Sequence, residues 1–148
     1  MAPRFFDIHT HINDRQFDGD RNVVLSRMDE QGVWGIVVGT DRKTSQDAVI
    51  IASFAERGVF ASVGVHPTDD SRERFEPALF EEFLKSGVVA VGECGLDYAR
   101  MPIGTDVQSR ERARQKELFT AQIDFAVTHN LPLMIHCRDS DKTLADAH

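Results

Sequence analysis

Two histidines, His9 and His11, stand two residues apart in Asp7-Ile8-His9-Thr10-His11, directly after the apolar pair Phe5-Phe6. Side chains alternate along a strand, so both imidazoles leave it on one face. Two neutral imidazoles converging from one strand end supply half of a divalent-metal site. Further along stand His66 in Gly64-Val65-His66-Pro67, Glu93 in Val91-Gly92-Glu93-Cys94-Gly95-Leu96-Asp97, and His136 followed by Arg138 and Asp139. As a set these suit a two-ion centre. His9 and His11 would hold one ion, Glu93 would give one carboxylate oxygen to each, and His136 would serve the second. Two ions about 3.5–4 Å apart activate water and clamp both oxygens of a phosphoester displacement. Arg138 adds a planar fork of donors matched to a phosphate. His66 fits two roles, a contact to substrate phosphate or metal-bound water, or a turn histidine ahead of Pro67. Asp97 fits an orienting contact to a metal ligand and fits a loop cap equally well.

The elements that must carry these residues follow one rhythm. Arg4 to Ile8 reads as a buried strand, and Asp20 to Gln31 as a helix with Asp20 at its N-cap and Gly32 as its stop. Val33 to Val38 is a strand, Thr44 to Arg57 a helix closed by Gly58, Val59 to Val65 a strand, and Pro77 to Lys85 a helix ended by Gly87. Val88 to Val91 is a strand. Ser109 to His129 is the longest helix, with Phe119, Ile123, Ala126 and Val127 on one face. Leu131 to Ile135 is a fifth strand, and another helix opens at Ser140. Arg100 to Asp106 is the loosest stretch and reads as a loop on the active side. Strands alternating with helices specify a parallel sheet. His9 and His11, His66, Glu93 and His136 each follow a different strand. In an α/β barrel the carboxyl ends of the strands are the face where catalytic groups collect. The expected fold is therefore α/β, the first five β/α units of a TIM-type (β/α)8 barrel, with residues 1–148 as one domain.

Bulk properties narrow the function. The chain has 148 residues, 41% of them hydrophobic and 28% charged, as in an ordinary globular domain. Its net charge of -7 argues against gripping nucleic acid through a broad basic surface. An acidic protein can still act on phosphates when bound metal supplies positive charge. The two cysteines, Cys94 and Cys137, lack zinc-ligand spacing and read as reduced, packed thiols of a cytoplasmic protein. His129 at a helix end reads as structural. No leader peptide and no membrane span is legible, so no membrane partner is expected. No G-x-G-x-x-G opens a helix after a strand, which disfavours a dinucleotide fold.

DIHTH, GVHP, GECGLDY and LPLMIHCRD, in this order and spacing, resemble the TatD family of metal-dependent hydrolases and deoxyribonucleases, and Phe119 and Gln122 also fit its pattern. The resemblance spans the whole chain. It implies an amidohydrolase-like barrel, one or two divalent ions (zinc, magnesium or manganese), and phosphodiester cleavage in DNA. It implies His9 and His11 as ligands of the first ion, Glu93 as the bridging and catalytic carboxylate, His136 as a ligand of the second, and His66 and Arg138 on the substrate side.

A complete barrel typically needs about 250 residues. The five strands legible here make the N-terminal half of one. The resemblance also implies a further histidine and a late aspartate, which these residues do not match. The 148-residue chain alone is accordingly expected to be inactive, and a half barrel with open sheet edges is expected to self-associate. Two other functions compete. One is an inactive remnant that serves as a binding module. The other is an amidohydrolase-like enzyme on another ester or a C–N bond, against which the phosphate-suited Arg138 argues.

Overall fold

The computed structural model describes residues 2–55, 57–68, 74–85, 87–99, 101 and 104–138. The elements in chain order are β1 (Phe5–Thr10), α1 (Arg21–Gln31), β2 (Val33–Val38), α2 (Arg42–Phe54), β3 (Val59–Val63), α3 (Pro77–Glu81), β4 (Val88–Asp97), α4 (Thr105–Thr128) and β5 (Leu133–Arg138). Short 3-10 turns cover Arg15–Phe17 and Glu82–Lys85. All strand pairs are parallel, and the sheet order β1-β2-β3-β4-β5 follows the sequence. This is the expected half of a (β/α)8 barrel, curling one strand at a time.

Local signals set the boundaries. Asp41 accepts from the Thr44 N–H at 2.6 Å, and the Thr44 hydroxyl accepts from the Asp41 N–H at 2.9 Å, so α2 opens on a reciprocal capping pair. Gly32 closes α1 in the left-handed region at φ 67°, where a side chain would be strained. Asp20 stands at the N-cap of α1 as expected but makes no side-chain cap hydrogen bond.

The core lies between the sheet and its helices. Val37, Ala61, Val63 and Val91 meet Ala48 and Val49 of α2 and Leu118 and Phe125 of α4. Phe75 packs between Phe80 and Phe125, with ring centroids 4.4 and 5.2 Å away. Burying each such ring contributes about 1.5–3 kcal/mol. Among the described residues no helix is long and apolar enough to cross a membrane.

Several expectations need correction. β1 is not buried: Phe5, Phe6 and Ile8 are exposed, because β1 is an edge strand with β2 as its one partner among the described residues. β3 ends at Val63, not Val65, and β4 runs on past Val91 to Asp97. α4 begins at Thr105, so it takes up the end of the stretch read as a loop. Its buried face is Gln115, Leu118, Gln122, Phe125 and Ala126, while Val127 is 75% exposed. Two glutamines at core positions hid the true stripe. Cys137 is exposed, not packed. Asp139 and the helix expected from Ser140 lie outside the described residues.

Candidate metal centre

The strands deliver the chemistry at two irregular points. Between β1 and β2 the pairing moves from Asp7↔Gly35 to Thr10↔Val37, which leaves one extra residue on β1 around His9. Between β4 and β5 it moves from Val91↔Leu133 to Cys94↔Ile135, which leaves one extra residue on β4 around Glu93. A bulge of this kind re-aims a side chain and adds local twist. Glycine makes the second bulge possible. Gly92 has φ 145° and Gly95 φ 141°, and a Cβ at either would run into the β5 backbone, at the Met134 and His136 carbonyls respectively. The Glu93 N–H donates to the Gly39 carbonyl at 2.9 Å, which ties the bulge to the end of β2.

Glu93 sits at the centre of the resulting cluster. Its Oε2 lies 3.2 Å from His9 Nε2 and 3.8 Å from His11 Nε2. Its Oε1 lies 3.0 Å from His136 Nδ1 and 3.9 Å from His66 Nε2. His9 Nε2 and His11 Nε2 are 3.1 Å apart. Two groups of potential ligand atoms therefore share one carboxylate: His9, His11 and Glu93 on one side, and His66, Glu93 and His136 on the other. Metal–nitrogen bonds of about 2.0–2.1 Å place two donors on one ion about 3.0–3.4 Å apart; the His9–His11 and His9–Glu93 distances have that spacing, and the His11–Glu93 distance of 3.8 Å is longer. Borderline imidazole with carboxylate is a donor set for zinc, manganese or iron more than for calcium.

The sequence brought forward all five of these positions. His9, Glu93 and His136 lie within the C-terminal halves of β1, β4 and β5, not after those strands as expected, and His11 directly follows β1. His66 joins them from the segment after β3. The Thr68 N–H donates to its Nδ1 at 3.2 Å, so the neutral ring carries its proton on Nε2, the nitrogen facing the cluster. Its ring stands edge-on to His136, with centroids 4.2 Å apart. Arg138 is exposed at the end of β5, where its carbonyl accepts from the Tyr98 N–H at 2.7 Å.

Asp97 does both things open to it. It is 1% exposed, its Oδ2 lies 3.1 Å from His136 Nε2, and its Oδ1 accepts from the Ala99 N–H at 3.0 Å. His136 thus has one ring nitrogen toward Glu93 and the other toward Asp97. Sequence reasoning missed Gln115, whose side chain bonds the Asp97 backbone. A polar residue two turns from Gln122 on one helix face was the available signal.

Cys94 sits as a packed core thiol. Burial, with the neighbouring Glu93 carboxylate adding to it, pushes its thiol up to about 12, and the side chain points at the Val91 and Met134 carbonyls. His129 ends α4 and packs at a tilt against Phe125, ring centroids 4.4 Å apart, with Glu81 3.7 Å away, the structural role expected of it.

Comparisons with known proteins point to one family. The family model described as TatD related DNase matches residues 6–148. The 3'-5' ssDNA/RNA exonuclease TatD of Pectobacterium carotovorum is 36% identical over 138 residues, covering 91% of this chain and 50% of the relative. The Escherichia coli exonuclease of that name gives the same figures, 36% over 138 residues and 50% of its length. The chain thus spans about half the length of the curated relatives it matches. A crystal structure of a TatD homologue from Escherichia coli superposes with a TM-score of 0.75 at 30% identity, covering 93% of this chain and 52% of that one. A TatD family hydrolase from Entamoeba histolytica gives 0.75 at 25% identity, covering 95% and 52%.

Proposed function

Because the chain belongs to the TatD-related DNase family, we propose that its cluster is the N-terminal part of a two-ion phosphodiesterase centre. The observation that carries this is Glu93, whose Oε2 faces His9 and His11 while its Oε1 faces His136. His9 and His11 would hold one divalent ion and His136 a second, with Glu93 shared between them. When bound, such ions lower the pKa of water and stabilise charge on both oxygens of a phosphoester in displacement. The protein's own groups do the rest. Asp97 accepts the Nε2 proton of His136 and so leaves Nδ1 free as a ligand. His66 offers its Nε2 proton, and Arg138 its guanidinium fork, to the phosphate.

The substrate we infer is single-stranded nucleic acid, the class named in the relatives' descriptions. A site within a net charge of -7 then depends on its ions and on Arg138 for phosphate affinity. Zinc, manganese and magnesium are the ions the family resemblance implies, and the imidazole donors favour the first two. The free thiols Cys94 and Cys137 support a reducing, cytoplasmic setting.

Calorimetric titration with zinc and with manganese tests the ligand set. Binding to the native chain is expected, with loss in the His9→Ala/His11→Ala double variant and in Glu93→Gln. Unchanged affinity in the double variant would refute the assignment. Nucleotide release from a single-stranded oligonucleotide, assayed in this chain and in any longer protein that contains it, tests the activity. Where cleavage is measured, Glu93→Ala should abolish it. Arg138→Ala and His66→Ala should chiefly raise the substrate concentration required.

A further inference from the structure

β3 and β4 stay paired as far as Val63↔Val91. Beyond that pair the chain carries His66 on one side and Asp97 on the other, and buried peptide groups there need other partners. Helix α4 supplies them. Gln122 Oε1 accepts from the Val65 N–H at 2.8 Å, and its Nε2 donates to the Val65 carbonyl at 2.9 Å. Gln115 repeats the arrangement at Asp97, accepting from its N–H at 2.8 Å and donating to its carbonyl at 3.0 Å. The glutamines are 0% and 1% exposed and lie two turns apart on one face of the helix. A primary amide carries the same donor and acceptor as a peptide group, so each side chain stands in for a missing strand neighbour. Gly64 makes room for it, since a Cβ there would lie 2.8 Å from Gln122 Oε1. A third residue of α4, Arg114, donates to the Pro67 carbonyl at 2.5 Å. His66 is therefore gripped from one helix on both sides, at Val65 and at Pro67.

We propose that Gln122 is a positioning residue for His66. By bonding both the backbone N–H and the carbonyl of Val65, it sets the point from which His66 turns its Nε2–H toward the cluster. Arg114 completes the grip at Pro67. The reason the segment needs such a device is topological: β3 has ended, and among the described residues no strand pairs with residues 64–66 on the β4 side. The functional meaning of the device rests on the nuclease reading of the centre, whereas its structural effect can be read without it.

Imidazole nitrogen spectra of the nitrogen-15-labelled chain at one fixed pH test the proposal. Native protein is expected to show His66 as a single tautomer, protonated at Nε2. Gln122→Leu should lose that single tautomer, whereas Gln115→Leu, with an equal loss of hydrogen bonds to the sheet, should keep it. Gln122→Glu should restore it, because a buried carboxyl stays protonated and offers the same donor and acceptor. Should the leucine variants fail to fold, Gln122→Asn and Gln115→Asn, which keep the amide but not its reach, make the same comparison. A Gln122 variant that lowers the melting temperature yet leaves His66 as in the native protein would overturn the proposal and reduce Gln122 to a helix–sheet contact. Adding zinc to the native sample separates the two levels. Unshifted His9, His11 and His136 resonances would sink the metal-centre reading and leave the His66 result standing.

Discussion

His136 Nε2 lies 3.1 Å from Asp97 Oδ2, while its Nδ1 lies 3.0 Å from Glu93 Oε1. The ring is therefore held at both nitrogens by carboxylates from one strand, β4. Glu93 is the half of that pair shared with His9 and His11. Asp97 is buried behind the ring and tied to α4 through its own backbone. An outer carboxylate of this kind fixes which nitrogen carries the proton and raises the basicity of the other.

Asp97→Asn should weaken divalent-ion binding by about 10–100-fold, the usual cost of losing such an outer partner. The substitution keeps the size of the side chain and lets an amide N–H face His136 Nε2, which favours the wrong tautomer. Zinc titration of the two proteins by calorimetry makes the comparison. Equal affinity would show that Asp97 serves only as the cap of the Ala99 N–H.

Acid should destabilise the protein partly through Glu111. The Arg114 guanidinium holds the Glu111 carboxyl below its usual value of 4.5, with a smaller contribution from Gln115 against some desolvation. A carboxyl depressed in the folded state adds stability above its unfolded pKa, and that stability is lost as pH falls through the folded value. Melting temperatures measured downward from about pH 5 should therefore fall less steeply in Glu111→Gln than in the native chain. Parallel curves would mean that the pair contributes nothing. Because the group is partly exposed, the effect is modest and should shrink in added salt.

The two cysteines should differ sharply toward a thiol reagent. Cys137 is exposed on β5 and should react at once in native protein, whereas Cys94 is buried with its thiol pushed up to about 12. Cys94 should react only on unfolding, so the native chain is expected to label at one position. Mass spectrometry after brief labelling identifies it. Prompt modification of Cys94 would contradict the packing at the β4 bulge.

The chain should self-associate. Phe5, Phe6 and Ile8 are exposed along β1, which is paired on one side only among the described residues. Exposed apolar edges recruit other strands. Size-exclusion chromatography with light scattering at micromolar concentration should show species larger than a monomer. A stable, cooperatively unfolding monomer would mean that this edge is satisfied some other way. Lysine substitutions at Phe6 and Ile8 should shift the distribution toward monomer.

Much of this is legible in the sequence. The alternation of apolar runs with helical stretches fixed a parallel α/β sheet, because backbone pairing and burial permit few other uses of such a pattern. The candidate residues were legible too, since His9, His11, Glu93 and His136 fall at or beside apolar runs at the same end of successive β/α units. Periodicity failed where a polar side chain replaces a backbone partner. Gln115 and Gln122 belong to the buried face of α4 because the strand ends they serve lack neighbours, and nothing local to the helix says so. The end of β4 was lost for a related reason. Gly92 and Glu93 look like a strand's stop, and only pairing with β5 shows that the strand absorbs an extra residue and continues to Asp97. The sequence by itself singled out His9, His11, Glu93 and His136 as candidates and the strands that carry them. Tertiary structure decided how one carboxylate faces two sets of histidines and what stands behind His136, because a bulge and a cross-strand contact depend on register, which no single strand contains.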